Sequence, residues 1–188
     1  MHDDIYQKVK ERMIRYAKVN TQSQPYSGTW PTTSCQFDLA RMLRDELVEI
    51  GVSDVFLDEK SCVVYGCIHS DIGNKSGNKI GFIAHMDTAP NASGEHVIKH
   101  QYSNMKEILK DHPSLVDNLR KAIEDCGVTP VCEPFRGGTD GAALSFRGLP
   151  CPNLSAGYEN AHGRFEYVPI QSMVKNVEIL LRLCSLLA

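Results

Sequence analysis

The chain lacks an apolar run of membrane-spanning length, which excludes a transmembrane helix from this stretch of sequence. It also lacks an excess of positive charge. Its 20 Lys and Arg stand against 23 Asp and Glu, a net charge of −3. Without a basic face, no nucleic-acid partner is expected. There are seven cysteines, an odd number, and no two are spaced C-x-x-C. That argues against a disulfide framework and against a zinc ribbon. Reduced thiols in a cytoplasmic protein are the simplest reading. Met1-His2-Asp3-Asp4 has no basic segment and no apolar segment behind it, so no signal peptide is expected. Asn91-Ala92-Ser93 and Asn153-Leu154-Ser155 then read as chance matches to a glycosylation pattern. No internal repeat or low-complexity tract occurs.

What is present suits one globular domain over residues 1–188, with 42% hydrophobic and 23% charged residues. Ile5, Val9, Met13 and Ala17 recur at helical spacing and predict a helix over residues 4–19. Residues 20–32 carry Pro25, Gly28 and Pro31 and read as a loop. Thr33 and Gln36 have the spacing of a capping box. The helix they open would bury Ala40, Leu43, Leu47 and Ile50, and would end at Gly51. Residues 55–57 and 62–68 predict strands, and residues 71–79 a turn. Residues 80–84, Ile-Gly-Phe-Ile-Ala, form a continuous apolar run of the kind expected for a strand buried on both faces. Helices are expected over 104–110 and 114–126, interrupted at Pro113, and a short strand over 131–135. A helical turn follows at 142–146. Pro169 opens the last helix, with Val174, Val177, Leu181 and Cys184 as its core stripe. This order of elements gives an α/β class with helices covering a sheet.

Three segments carry residues suited to chemistry. His85 follows the apolar run, at a strand end where ligand sites collect in α/β sheets. Asp87 lies two residues on, so in extended chain both project from one face. A carboxylate beside a metal-binding imidazole fixes its tautomer and raises its basicity. The plainer reading is a histidine hydrogen-bonded at a strand end. His162-Gly163 sits in a loop, and its plainer reading is a surface histidine. Arg136-Gly137-Gly138-Thr139-Asp140-Gly141 lacks the Gly-Lys-Ser/Thr ending of a P-loop. Its glycines would let backbone N–H groups approach a carboxylate, and Arg136 could pair with it. It reads equally as a turn before a short helix capped by Asp140. Cys35 and Cys151 lie nearest these loops, but no spacing supports a Cys-His nucleophile. His2, His69, His96, His100 and His112 read as solvated surface residues.

Residues 81–90, 136–154 and 157–168 together resemble the tripeptide aminopeptidase (peptidase T) branch of the two-zinc aminopeptidase/carboxypeptidase superfamily. Residues 16–23 and the final helix are also similar. The resemblance implies a three-layer αβα catalytic domain with an inserted ferredoxin-like lid that supports a homodimer. It implies a small peptide substrate and two zinc ions per site. His85 would hold one zinc and His162 the other. Asp87 would orient His85 as part of the catalytic machinery. Arg136, Gly137, Gly138 and Thr139 would hold a peptide carboxylate. The implied reaction releases the N-terminal residue of a tripeptide by zinc-activated water.

The chain departs from that pattern in one place. The family has an Asp-Asp-Lys segment whose carboxylate bridges the zincs, a Glu-Glu pair holding the general base and a ligand, a further Asp ligand, and the lid. None of these segments occurs here. Gly94-Glu95-His96-Val97-Ile98 passes almost directly to Tyr102-Ser103-Asn104-Met105-Lys106, which resembles the family's chain beyond its lid. A junction near residues 99–102 joins an N-terminal part, 1–98, to a C-terminal part, 103–188. Asp3-Asp4 lies at the wrong end to replace the missing carboxylates, and Glu95, Glu159 and Glu166 match no family ligand. The expectation is a shortened αβα domain without its lid, with little or no peptidase activity. The competing readings are a non-catalytic scaffold with a weak zinc or peptide site, and a related hydrolase of acyl-amino acids.

Overall fold

The computed structural model describes residues 2–24, 26–69, 79–89, 103–133, 138–161 and 165–187. They fall into two compact units, one of residues 7–95 and one of residues 1–6 with 96–188. No helix among the described residues is long and apolar enough to cross a membrane.

Helix α1, His2–Ala17, starts two residues before the expected position. Its apolar pattern anchors it only in part, since Ile5 and Val9 are half-buried but Met13 and Ile14 are exposed. The rest of the attachment is polar. Arg12 and Arg15 pair with the Glu46 carboxylate, and the Tyr16 hydroxyl donates to Glu46 Oε2 at 2.6 Å. The Glu46 side chain is only 12% exposed. Burial pushes its carboxyl up, but the hydrogen bonds from Tyr16, Arg12 and Arg15 outweigh that and hold it below the ordinary value.

Glu46 belongs to α2, Gln36–Glu49. The expected capping box does not form. The Thr33 hydroxyl donates instead to the Gln22 carbonyl at 2.6 Å, and the Gln36 amide donates to Thr32 Oγ1 at 3.1 Å. The loop before the helix has taken both partners. The other end follows expectation. Gly51 adopts φ +85°. Its N–H donates to the Val48 carbonyl and the Val52 N–H to the Leu47 carbonyl, a Schellman closure.

Strands β1, Ser53–Asp58, and β2, Val63–Cys67, form an antiparallel hairpin. Asp58 builds its turn by accepting from the Lys60 N–H at 3.0 Å and from the Ser61 hydroxyl. Helix α2 packs on this hairpin. Ala40, Leu57 and Cys62 form the buried cluster, with Phe37, Val64 and Met86 against it. Gly66 admits the close approach of the preceding chain, since a Cβ there would lie 2.8 Å from Val52 Cγ1.

Residues 80–84 differ from expectation. They form no strand, and Phe82 and Ile83 are 55% and 56% exposed. A strand buried on both faces needs hydrogen-bonded neighbours and a layer on each side. Among the described residues β1 and β2 pair only with each other, so the run has strand composition and no ladder. The α/β assignment therefore rests here on helices and one two-stranded sheet. Most of the expected turn at 71–79, and the junction at 99–102, lie outside the described residues, as do Glu95, His96 and His100.

The other unit holds α3, Lys106–Leu109, then α4, Pro113–Asp125, α5, Asp140–Ser145, and α6, Ile170–Leu187. Pro113 opens α4, where its missing N–H costs nothing. Gly127, at φ +74°, closes it by a second Schellman arrangement. Helix α4 packs along α6. Arg182 pairs with Asp125 at 2.7 Å, and Lys175 Nζ donates to the Cys126 carbonyl at 3.3 Å. The second contact puts a cation at the negative end of α4. The α6 stripe is shifted. Val174 and Ile179 are buried, whereas Leu181 is exposed. Residues 131–133 form no strand, and residues 134–135 lie outside the described residues.

Helix α5 is fixed by polar contacts. The Thr139 hydroxyl oxygen accepts from the Ala142 N–H and from the Asn153 amide, both at 3.1 Å. Buried Ser145 donates to the Gly141 carbonyl at 2.7 Å and accepts from the Cys151 N–H at 3.0 Å. A Cβ on Gly141 would fall 2.6 Å from Asn153 Oδ1 and 2.8 Å from the Cys151 carbonyl oxygen.

Two outcomes follow. Glu46→Gln is expected to lower stability at neutral pH by about 1–3 kcal/mol, since two arginines lose a buried charged partner. The folded carboxyl titrates below its ordinary 4.5. Its contribution is therefore complete above that pH and is lost as pH falls through the depressed value. Urea unfolding between neutral pH and about pH 3 should show a steeper loss in the parent than in the Gln variant. Gly141→Ala is expected to cost about 1–3 kcal/mol by overpacking, read from the same unfolding midpoint.

Candidate metal and substrate site

The site begins with Met86. Its side chain packs on the Ala40, Leu57 and Cys62 cluster. In extended chain the residues on either side project the opposite way. His85 and Asp87 therefore share the outer face. The backbone beyond them is held by a parallel bridge between Gln22 and Thr88. The Thr88 N–H donates to the Thr21 carbonyl at 3.1 Å, and the Ser23 N–H donates to the Thr88 carbonyl at 2.9 Å.

His85 Nδ1 lies 3.2 Å from Asp87 Oδ1 and 3.0 Å from the Asp87 carbonyl oxygen. Both partners are acceptors only, so Nδ1 carries the proton. That leaves the Nε2 lone pair free, as a metal-binding imidazole requires. The His85 side chain is 72% exposed and that of Asp87 41% exposed, so Nε2 is open to an incoming ion.

The remaining sequence candidates are placed less fully. Arg136, Gly137 and His162 lie outside the described residues. The chain on either side of His162 is closed by an antiparallel bridge, with the Glu159 N–H donating to the Tyr167 carbonyl at 2.9 Å and the reverse bond at 3.2 Å. Gly138 is half-buried, and Thr139, rather than Asp140, caps α5. The signal for that cap was legible as a hydroxyl three residues before Ala142, but Asp140 competed with it on type alone. Burial, reinforced by Asp140, pushes the Cys151 thiol up, which disfavours a thiolate nucleophile there.

Sequence reasoning missed one grouping. His69, expected as a solvated residue, has Nε2 2.9 Å from Asp54 Oδ2, with Cys67 beside it. Among the described residues, Asp54, Cys67 and His69 are the one group of three side chains able to hold a metal ion, and His85 is not among them.

Comparison with known proteins gives consistent results. The chain is 50% identical to Peptidase T of Clostridium perfringens over 91 residues, which are 48% of this chain and 22% of that protein. It is 52% identical to Peptidase T of Halothermothrix orenii over 91 residues, with the same shares. It is 46% identical to Peptidase T of Salmonella arizonae over 99 residues, 53% of this chain and 24% of that protein. The matched stretch thus spans less than a quarter of these curated relatives. A family model matches far more of the chain, from residue 45 to residue 185, and on that match the chain belongs to peptidase family M20/M25/M40.

Proposed function

We propose that this chain carries part of a zinc-dependent tripeptide aminopeptidase site, and that its 188 residues alone turn over little or no peptide. The observation that carries the reading is the His85–Asp87 pair. Its Nδ1 contact commits the imidazole to one tautomer and leaves Nε2 available. The donor set fits zinc: His85 Nε2 would hold one ion and His162 a second. Zinc bound there supplies a Lewis acid and lowers the pKa of water. Asp87 keeps the imidazole oriented. Arg136, with the backbone of Gly137, Gly138 and Thr139, would receive the carboxylate of a small peptide. The likeness to proteins named Peptidase T supports this substrate class. A cytoplasmic setting suits seven free thiols.

The low activity follows from charge. No Asp-Asp-Lys or Glu-Glu segment occurs in the sequence. Without a positioned base, water activation loses a factor of roughly 100 or more. A scaffold reading gains weight from the high exposure of His85, since an open imidazole with one carboxylate neighbour binds metal weakly.

Two measurements test the proposal. In zinc-supplemented tripeptide hydrolysis, the purified chain and its His85→Ala variant are expected to be indistinguishable and close to background. Multiple turnovers that vanish in His85→Ala would overturn the inactivity. Zinc titration should show weaker binding in Asp87→Asn by about tenfold, the lower end of outer-partner effects, because the backbone carbonyl still holds Nδ1. Equal affinity in the two proteins would remove Asp87 from the proposed role.

A further inference from the structure

We propose that Cys67 and His69, oriented by Asp54, form a separate site for a zinc-type divalent cation at the open end of the β1–β2 hairpin. The site shares no residue with the His85 pair. Its two ligands come from a Cys-x-His spacing at the end of β2, and the carboxylate that orients the imidazole comes from across the hairpin.

The backbone is built to bring them together. Ser53 pairs with Cys67, and Phe56 with Tyr65, so one residue more lies on β1 than on β2 between these pairs. Regular alternation would turn Asp54 to the face opposite Ser53 and Cys67. The bulge interrupts that alternation, and Asp54 takes φ +51°, in the left-handed region rare for a residue other than glycine. The ligand atoms of Asp54, Cys67 and His69 consequently all lie within 4.8 Å of one another.

The geometry also distributes the roles. The Asp54 carboxylate only accepts, so at 2.9 Å it takes the proton of His69 Nε2 as a hydrogen bond. Nδ1 then carries the lone pair, and it faces Cys67 Sγ at 3.9 Å. Tetrahedral zinc bond lengths require an S-to-N separation of about 3.6 Å. A shift of a few tenths of an ångström seats an ion between Sγ and Nδ1, with Asp54 behind the imidazole as its orienting carboxylate. The thiol proton leaves to solvent as the sulfur–metal bond forms. All three side chains are exposed, so water fills the remaining positions. A thiolate and an imidazole select zinc-like ions over magnesium or calcium, which take oxygen ligands.

The test uses the full chain carrying His85→Ala and His162→Ala, so that neither proposed peptidase-site histidine contributes, with cobalt(II) as the spectroscopic probe. Titration should produce a thiolate-to-cobalt absorption band that added zinc bleaches. Cys67→Ser and His69→Ala should each abolish the band. Asp54→Asn should keep it but weaken binding by about 10- to 100-fold. The three positions are exposed, and circular dichroism verifies that each variant stays folded. A band that survives Cys67→Ser, or no band in the parent, overturns the site. Unchanged affinity in Asp54→Asn overturns the orienting role.

Discussion

The seating of α2 on the hairpin, and of the His85–Asp87 segment beside it, depends on one close contact, the packing of Ala40 against Leu57 and Cys62. A methyl group at position 40 lets α2 lie directly on the hairpin, and the residue is wholly buried there. A larger side chain would lift the helix and open the cluster, since close-packed interiors absorb little added volume. Met86 rests on the same cluster, so the helix–hairpin contact also sets the depth of the His85–Asp87 segment. Glu46 acts from a different face of α2. Its carboxylate holds α1, whose own apolar residues are partly left in solvent. One helix therefore joins an apolar contact that places the candidate ligand to a polar contact that retains the N-terminal helix.

The His85–Asp87 hydrogen bonds do not by themselves fix the pair. Exposed ionic contacts contribute about 0–1 kcal/mol and are readily exchanged for water. Position comes from the backbone, through the Met86 anchor and the two hydrogen bonds that tie Thr88 to residues 21 and 23. The side-chain contact then only has to choose a tautomer. This division of labour explains how so exposed a pair keeps a defined geometry, and why the carbonyl of Asp87 duplicates what its carboxylate does.

How much of this was legible in the sequence depends on how local each signal is. Gly51 ended its helix where the sequence placed the end, because a left-handed residue after a helix is a local demand. The hairpin strands were legible for the same reason. Residues 80–84 were not. Their composition specifies a strand, but a strand is completed by neighbours that composition cannot supply. Thr33 and Gln36 had the spacing of a capping box and lost it to Gln22 and Thr32, partners invisible to a four-residue pattern. The Asp87 contact to His85 was readable because two residues apart in extended chain share a face. The Asp54 contact to His69 was not, because a one-residue bulge reverses the face to which alternation assigns Asp54.

The charge balance explains why the proposed peptidase site and the proposed hairpin site belong to different chemical regimes. In two-metal centres the ions sit about 3.5–4 Å apart. At an effective dielectric constant of about 20, two dications at that distance repel by roughly 15–20 kcal/mol. A bridging carboxylate and further acidic ligands offset that repulsion, whereas neutral imidazoles bring no charge. In the proposed site the ligands would be imidazoles, which bring no negative charge, and Asp87 is already engaged with Nδ1 of His85. A site so composed would hold the two proposed ions close together only with further carboxylates, and without a base a bound ion would catalyse little. At the hairpin, deprotonated Cys67 would bring its own negative charge to the metal, so one dication there would be partly compensated. Charge supply, more than the number of histidines, decides where this chain would retain a metal.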